Sequence, residues 1–127
     1  MIEVVWEFVV NEEARDRFEL VYGPGGAWSE LFARHPGFRG TTLLRDTNNQ
    51  QRYLTVDFWD TEAQREQMLA DRGADYSNLR AALDDWTESQ TEVGVFRVQA
   101  EATVRPLRRA RLGSAGGARR GSRRPPR

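Results

Sequence analysis

The sequence predicts an α+β fold of the ferredoxin-like type, ordered βαββαβ, and three observations carry that prediction. The segments Ile2–Val10 and Arg52–Trp59 alternate with a period of two, as strands do. Each runs into a helix start followed by apolar residues at helical spacing. Between two strand-like runs, the polar stretch 46–51 reads as a hairpin loop. Two strand–helix–strand halves joined by a hairpin then close, under the right-handed crossover rule, into a four-stranded antiparallel sheet of order 4-1-3-2. Both helical layers fall on one face of it.

The first strand sets Ile2, Val4, Trp6, Phe8 and Val10 on one side and Glu3, Val5, Glu7 and Val9 on the other. Asn11 stands where an N-cap belongs, with Glu12, Glu13 and Asp16 in the first turns, where acids suit the helix dipole. Phe18, Val21 and Tyr22 form an apolar stripe. Gly23-Pro24-Gly25-Gly26 must break the helix. A phosphate-loop reading of these glycines fails, because they follow a helix and lack the required spacing. The helix resumes through Trp28, Leu31, Phe32 and His35 and stops at Pro36-Gly37.

Phe38–Arg45 is the second strand, with Phe38, Thr42 and Leu44 expected on one side and Arg39, Thr41, Leu43 and Arg45 on the other. In the third, Arg52–Trp59, the apolar set Leu54, Val56 and Phe58 suits a core. Its other face, Tyr53, Thr55, Asp57 and Trp59, combines two amphipathic aromatics, a hydroxyl and a carboxylate, the mixture of a mostly apolar pocket with polar anchors. Thr61-Glu62-Ala63-Gln64 has the form of a capping box. The helix beyond it is interrupted near Gly73 and recovers with Tyr76, Leu79, Leu83 and Trp86. Residues 91–100 are expected to close the sheet as the fourth strand. Trp28, Phe32, Tyr76 and Trp86 are expected in the core, with one or two of them lining a pocket. Val5, Val9 and Leu43, with the second faces of the third and fourth strands, make the outer sheet face too apolar for water. A homodimer pressed sheet to sheet is the economical answer.

The chain has 127 residues, 19 acidic and 19 basic, and no cysteine. One domain is expected over 1–104. Disulfides and thiolate metal sites are excluded, and the composition fits a reducing cytosol, so a cytoplasmic location is expected. No apolar run is long enough to cross a membrane. The even charge balance hides an asymmetry: all 19 acids precede residue 102, while nine arginines fall at or after Arg105, leaving a body of net −9 and a tail of +9. All basic residues are arginine, which reads as coding bias before chemistry. The tail, 105–127, is built of Arg, Gly, Ser, Ala and Pro and is expected to be disordered. It carries no interleaved aromatic to stack on bases, so nucleic acid is not the expected partner.

From Ile2 to Val98 the sequence resembles the antibiotic biosynthesis monooxygenase family of dimeric α/β barrels. The likeness rests on Tyr22-Gly23-Pro24-Gly25-Gly26-Ala27-Trp28 followed by Leu31-Phe32, on His35-Pro36-Gly37-Phe38, on the run from Arg52 to Trp59, on the Tyr76, Leu79, Leu83 spacing and on Glu92-Val93-Gly94-Val95-Phe96. The haem-degrading branch of that family carries an Asn on strand 1 and a His on helix 2. Neither is present here, although Trp59 matches that branch's Trp. In the phenol-oxidising branch an Asn shares the face of the strand-3 Trp, at the position Thr55 holds here.

The resemblance implies a cofactor-free oxygenase acting on an aromatic or polyketide-like small molecule held between sheet and helices. Trp59, Asp57 and His35 are the candidate catalytic residues; Trp6, Tyr53, Thr55, Trp28 and Phe32 are the candidate substrate contacts. Asp57 is a candidate base for a phenolic proton, since desolvation raises a carboxyl pKa toward a useful value; its plainer role is an ion pair with Arg39 or Arg45. Trp59 could pack a strand-to-helix corner, and His35 could serve a helix end. One histidine without cysteine does not suggest a transition-metal site, and no cofactor is expected. The competing function is a dimeric ligand-binding or interaction module that kept the fold and lost the chemistry. A third reading places the function in the arginine tail as a nucleic-acid tether.

Overall fold

A computed structural model describes residues 1–71 and 73–100. The tail expected at 105–127 lies outside the described residues. Four strands, β1 (Ile2–Val10), β2 (Phe38–Arg45), β3 (Arg52–Trp59) and β4 (Thr87–Arg97), form one antiparallel sheet ordered β2-β3-β1-β4. Read from the other edge, that is the expected 4-1-3-2. A short 3₁₀ turn, Glu12–Ala14, leads into α1 (Arg15–Tyr22), and α2 is Ala27–Phe32. After β3 come α3 (Glu62–Ala70) and α4 (Ala74–Trp86).

One sheet face is buried beneath the helices. Register places Phe8 opposite Tyr53, Trp6 opposite Thr55, Val4 opposite Asp57 and Ile2 opposite Trp59, and all four of these β3 residues are buried. The polar-aromatic face of β3 therefore looks into the helical layer. Leu54, Val56 and Phe58, expected to suit the core, lie half-buried on the outer face instead. A sheet covered on one side has a single interior, and the pocket-like set occupies it. Phe18, Tyr22, Trp28, Leu31 and Phe32 complete the core from α1 and α2, with Met68 from α3 and Leu83 from α4.

Pairing is interrupted at three places. The β1–β4 register shifts between Val9 and Val10, where β4 skips Glu88. Two further bulges shift the faces read from simple alternation. Pairing of β2 with β3 skips Arg39, so that Phe38 opposes Trp59 while Gly40 opposes Phe58. Gly40 takes φ 135°, which L side chains rarely adopt. Phe38 thus shares the inner face with Thr41 and Leu43, and Thr42 and Leu44 point outward. Leu43 consequently packs against the core rather than the bare face. In β4, Gly94 opposes Val5 but Glu92 opposes Trp6, so Val93 is the extra residue and Glu92 turns inward.

Among the described helices, α3 starts on a side-chain cap and the other helical segments do not. The Thr61 hydroxyl accepts from the Gln64 backbone N–H at 3.1 Å, as a capping box requires. Asn11 does not cap the segment that follows it; its side chain donates to the Asp85 carbonyl at 3.0 Å, tying the start of the first helical segment to the end of α4. At the glycine break, a Cβ on Gly26 would lie 2.3 Å from the Val21 carbonyl oxygen, so only glycine lets the chain turn this tightly. β4 begins at Thr87, directly after α4, four residues before the expected start, and ends at Arg97.

Candidate active site

Between the sheet and the helices lies a cavity of about 660 Å³. Its sheet wall is Val4, Trp6 and Phe8 of β1, Thr55, Asp57 and Trp59 of β3, and Glu92 of β4. Tyr22, Trp28 and Phe32 close one side, Arg65, Met68 and Leu69 of α3 another. From α4 come Tyr76, Ser77, Arg80, Ala81 and Asp84. That volume suits a small aromatic molecule of several rings.

The walls are largely rings in mutual contact. Trp59 meets Phe38 edge to face at 5.2 Å and Phe32 at 5.9 Å. Phe32 meets Trp28 at 5.0 Å, and Trp28 meets Tyr76 edge to face at 5.4 Å. Trp6 carries the Arg80 guanidinium over its face, 5.6 Å from the ring centre, a cation–π arrangement that holds a charge at the cavity rim.

Asp57 is the polar centre. It is 8% exposed and accepts a hydrogen bond from the Thr41 hydroxyl at 2.7 Å, across the β2–β3 pair. Burial raises its pKa to about 6, against the opposing pull of the Thr41 hydrogen bond and the positive charge of Arg65. Arg65 itself is paired with Glu92 at 3.9 Å. Neither arginine weighed as an ion-pair partner reaches Asp57: Arg39 binds Asp60 at 2.6 Å, and Arg45 lies 3.5 Å from Glu19. Nearby, burial and the Asp57 charge push the Tyr22 phenol well above its ordinary value, so it stays protonated.

Six of the eight side chains named from the sequence line this cavity: Trp6, Trp28, Phe32, Thr55, Asp57 and Trp59. Two do not. Tyr53 is buried on the same face but donates its hydroxyl to Glu19, with the Arg15 guanidinium beside it, in a polar cluster away from the cavity. Burial and that carboxylate raise its pKa. His35 is half-buried in a separate cavity of about 340 Å³ with Asp71 and Asp75. Among the core aromatics, Tyr76 lines the main cavity, and Trp86 lies apart beneath Arg17. Sequence reasoning missed Thr41, Arg65, Arg80 and Glu92. One signal was present: Ser77, Arg80 and Asp84 form a polar stripe at helical spacing beside the apolar stripe of α4.

Among the described residues no group of His, Asp and Glu side chains is arranged to hold a metal ion, and no helix is long and apolar enough to cross a membrane.

A sequence profile described as antibiotic biosynthesis monooxygenase matches residues 1–70. Among solved structures, SnoaB, a cofactor-independent oxygenase from Streptomyces nogalater, is similar in an alanine-substituted form at 25% identity and TM-score 0.66, covering 79% of this chain and 94% of that one. A protein from Deinococcus radiodurans given the same family description reaches TM-score 0.68 at 10% identity, covering 84% and 100% of the two chains. Another, from Nitrosomonas europaea, reaches 0.61 at 17% identity, covering 79% and 100%. No curated protein sequence matches the chain.

Proposed function

The chain belongs to the antibiotic biosynthesis monooxygenase family, and on that premise we propose that it oxidises planar phenolic, polyketide-like aromatics with molecular oxygen and without a cofactor. The observation that carries this reading is a buried carboxylate, Asp57, on the wall of an aromatic cavity large enough for such a molecule. The likeness to SnoaB, whose description is cofactor-independent oxygenase, supports the reaction class.

In this reading the substrate lies between the rings of Trp59, Phe32 and Trp6, and Thr55 contacts it from the sheet. Asp57, ionised at neutral pH, takes the acidic proton. The resulting anion is rich enough in electrons to transfer one to oxygen and then combine with it. For an anthrone-type ring the balance closes without a further reductant: the CH₂ carbon becomes a carbonyl, one oxygen atom enters it, and the other leaves as water. His35, in its separate cavity, has no direct part. The half-buried outer face of the sheet supports a homodimer.

The test is oxygen uptake with 1,8-dihydroxyanthrone, above the uncatalysed background. Asp57→Asn is expected to lower the catalysed rate at least about a hundredfold, the usual worth of a positioned base. Trp59→Phe is expected to lower it less. A rate unchanged by both substitutions removes this site from the reaction. The second reading, a binding module without chemistry, draws on Thr55, which stands where the resemblance places an Asn. It predicts saturable binding with no uptake above background.

A further inference from the structure

Among the described residues of β4, Glu92 is the one whose side chain lines the cavity, and the bulge at Val93 puts it there. The inserted residue reverses the phase of the strand. Glu92 then stands opposite Trp6 on the inner face, while Val93 is half exposed outside. Bulges recur where a strand must re-aim a side chain. Facing Glu92 from α3 is Arg65, whose side chain is only 17% exposed and meets the Glu92 carboxylate at 3.9 Å. A cation so covered needs a carboxylate, and the sheet wall offers two, Glu92 and Asp57. Arg65 pairs with Glu92. Its charge is felt at Asp57, yet Asp57 takes part in no ion pair among the described residues and accepts instead from the Thr41 hydroxyl at 2.7 Å.

We propose that Glu92 is a positioning residue: it holds Arg65 back from Asp57, so that the buried carboxylate stays unpaired and open to the substrate's proton. This rests on the proposed oxygenase reading and deepens it. Two demands on Asp57 conflict. An arginine seated on the carboxylate would keep it ionised, but would make it a weak base and occupy the lone pairs that must take the proton. With no cation near, burial would favour the neutral acid, which takes no proton at all. Arg65, kept at one remove by Glu92, lies between these limits. The other charged or titratable groups around the cavity are Tyr22 of α1 and Tyr76, Arg80 and Asp84 of α4, while β1 and α2 line it with apolar and aromatic side chains. Arg80 lies over Trp6 at 5.6 Å and Asp84 accepts from Gln90 at 2.9 Å, so each is engaged elsewhere.

The experiment follows the side-chain carboxyl resonance of Asp57 against pH by NMR, in the ligand-free full chain, assigned by its disappearance in Asp57→Asn. In the wild type the midpoint is expected at about pH 6. Glu92→Gln is expected to release Arg65 onto Asp57 and lower the midpoint to about pH 5 or below. Arg65→Gln is expected to raise it above the wild-type value. The deciding arm is Glu92→Gln in an Arg65→Gln background, where no further movement is expected, because the effect of Glu92 passes through the arginine. A Glu92 with no part in positioning would leave the midpoint in place, and one acting by its own charge would lower it equally in both backgrounds. Either result, or failure of Arg65→Gln to raise the midpoint, overturns the proposal. The pH limb of oxygen uptake should follow the resonance in each variant. The titration is read without substrate, so shifted midpoints with no uptake by the wild type would retain the hold of Glu92 on Arg65 and remove the oxygenase reading. Uptake with unmoved midpoints would do the reverse.

Discussion

Burial moves the Asp57 carboxyl up to about 6 from its usual 3.8. The folded chain therefore holds this proton more tightly than the unfolded one, and between about pH 4 and pH 6 it carries more of it. Stability falls as pH rises through that window, by on the order of 3 kcal/mol, and levels off above it. Asp57→Asn should match the wild type near pH 4 and exceed it at pH 8, which urea midpoints across pH would show. Activity runs the other way, rising as the carboxylate forms around pH 6. Thr41→Val removes the donor that favours the charged form, so its activity limb should shift to higher pH. Asp57 and Trp59 were legible in the sequence because a carboxylate and an indole alternate in phase on one strand. Arg65 and Arg80 were not, because a long cation on an amphipathic helix reads as a solvated face until the opposing wall is known. Tyr53 illustrates the converse: its phase was right, but alternation cannot say how far along a strand a cavity extends.

Alternation defines two faces of a strand and leaves open which one is covered. In β3 both faces are substantially apolar, so hydrophobicity alone did not exclude Leu54, Val56 and Phe58 from the interior. The bulges at Arg39 and Val93 were hidden for a related reason, since one extra residue reverses every later side chain without altering composition. The polar start of β4, Thr87 to Gln90, looks like loop because an edge strand pairs on one side and meets water on the other. Local signals with their own chemistry were easier to read. The Thr61 cap is one, and Thr61→Ala should destabilise the chain by about 1 kcal/mol in urea unfolding. That substitution lies outside the cavity, so the ligand affinities should stay put.

For the whole molecule, the outer sheet face sets the expectation. Val56 sits at its centre, between Thr42 of β2 and Val5 of β1, with Leu44 and Phe96 exposed toward its margins. A face of this kind left in water invites self-association. In sedimentation the protein should run as a dimer, and Val56→Glu, which places a charge in the middle of the face, should run as a monomer. A monomeric wild type would refute the sheet-to-sheet pairing. The order of strands was legible because chain connectivity and crossover handedness leave few alternatives. The pairing partner is a question of surface, which a sequence without its fold does not present.

The distribution of indoles has an optical consequence. Of the four tryptophans, Trp6, Trp28 and Trp59 face one chamber and Trp86 stands outside it. A coloured quinone entering that chamber would come within energy-transfer range of three emitters together, dimming most of the intrinsic fluorescence. The loss of emission then follows occupancy without any label.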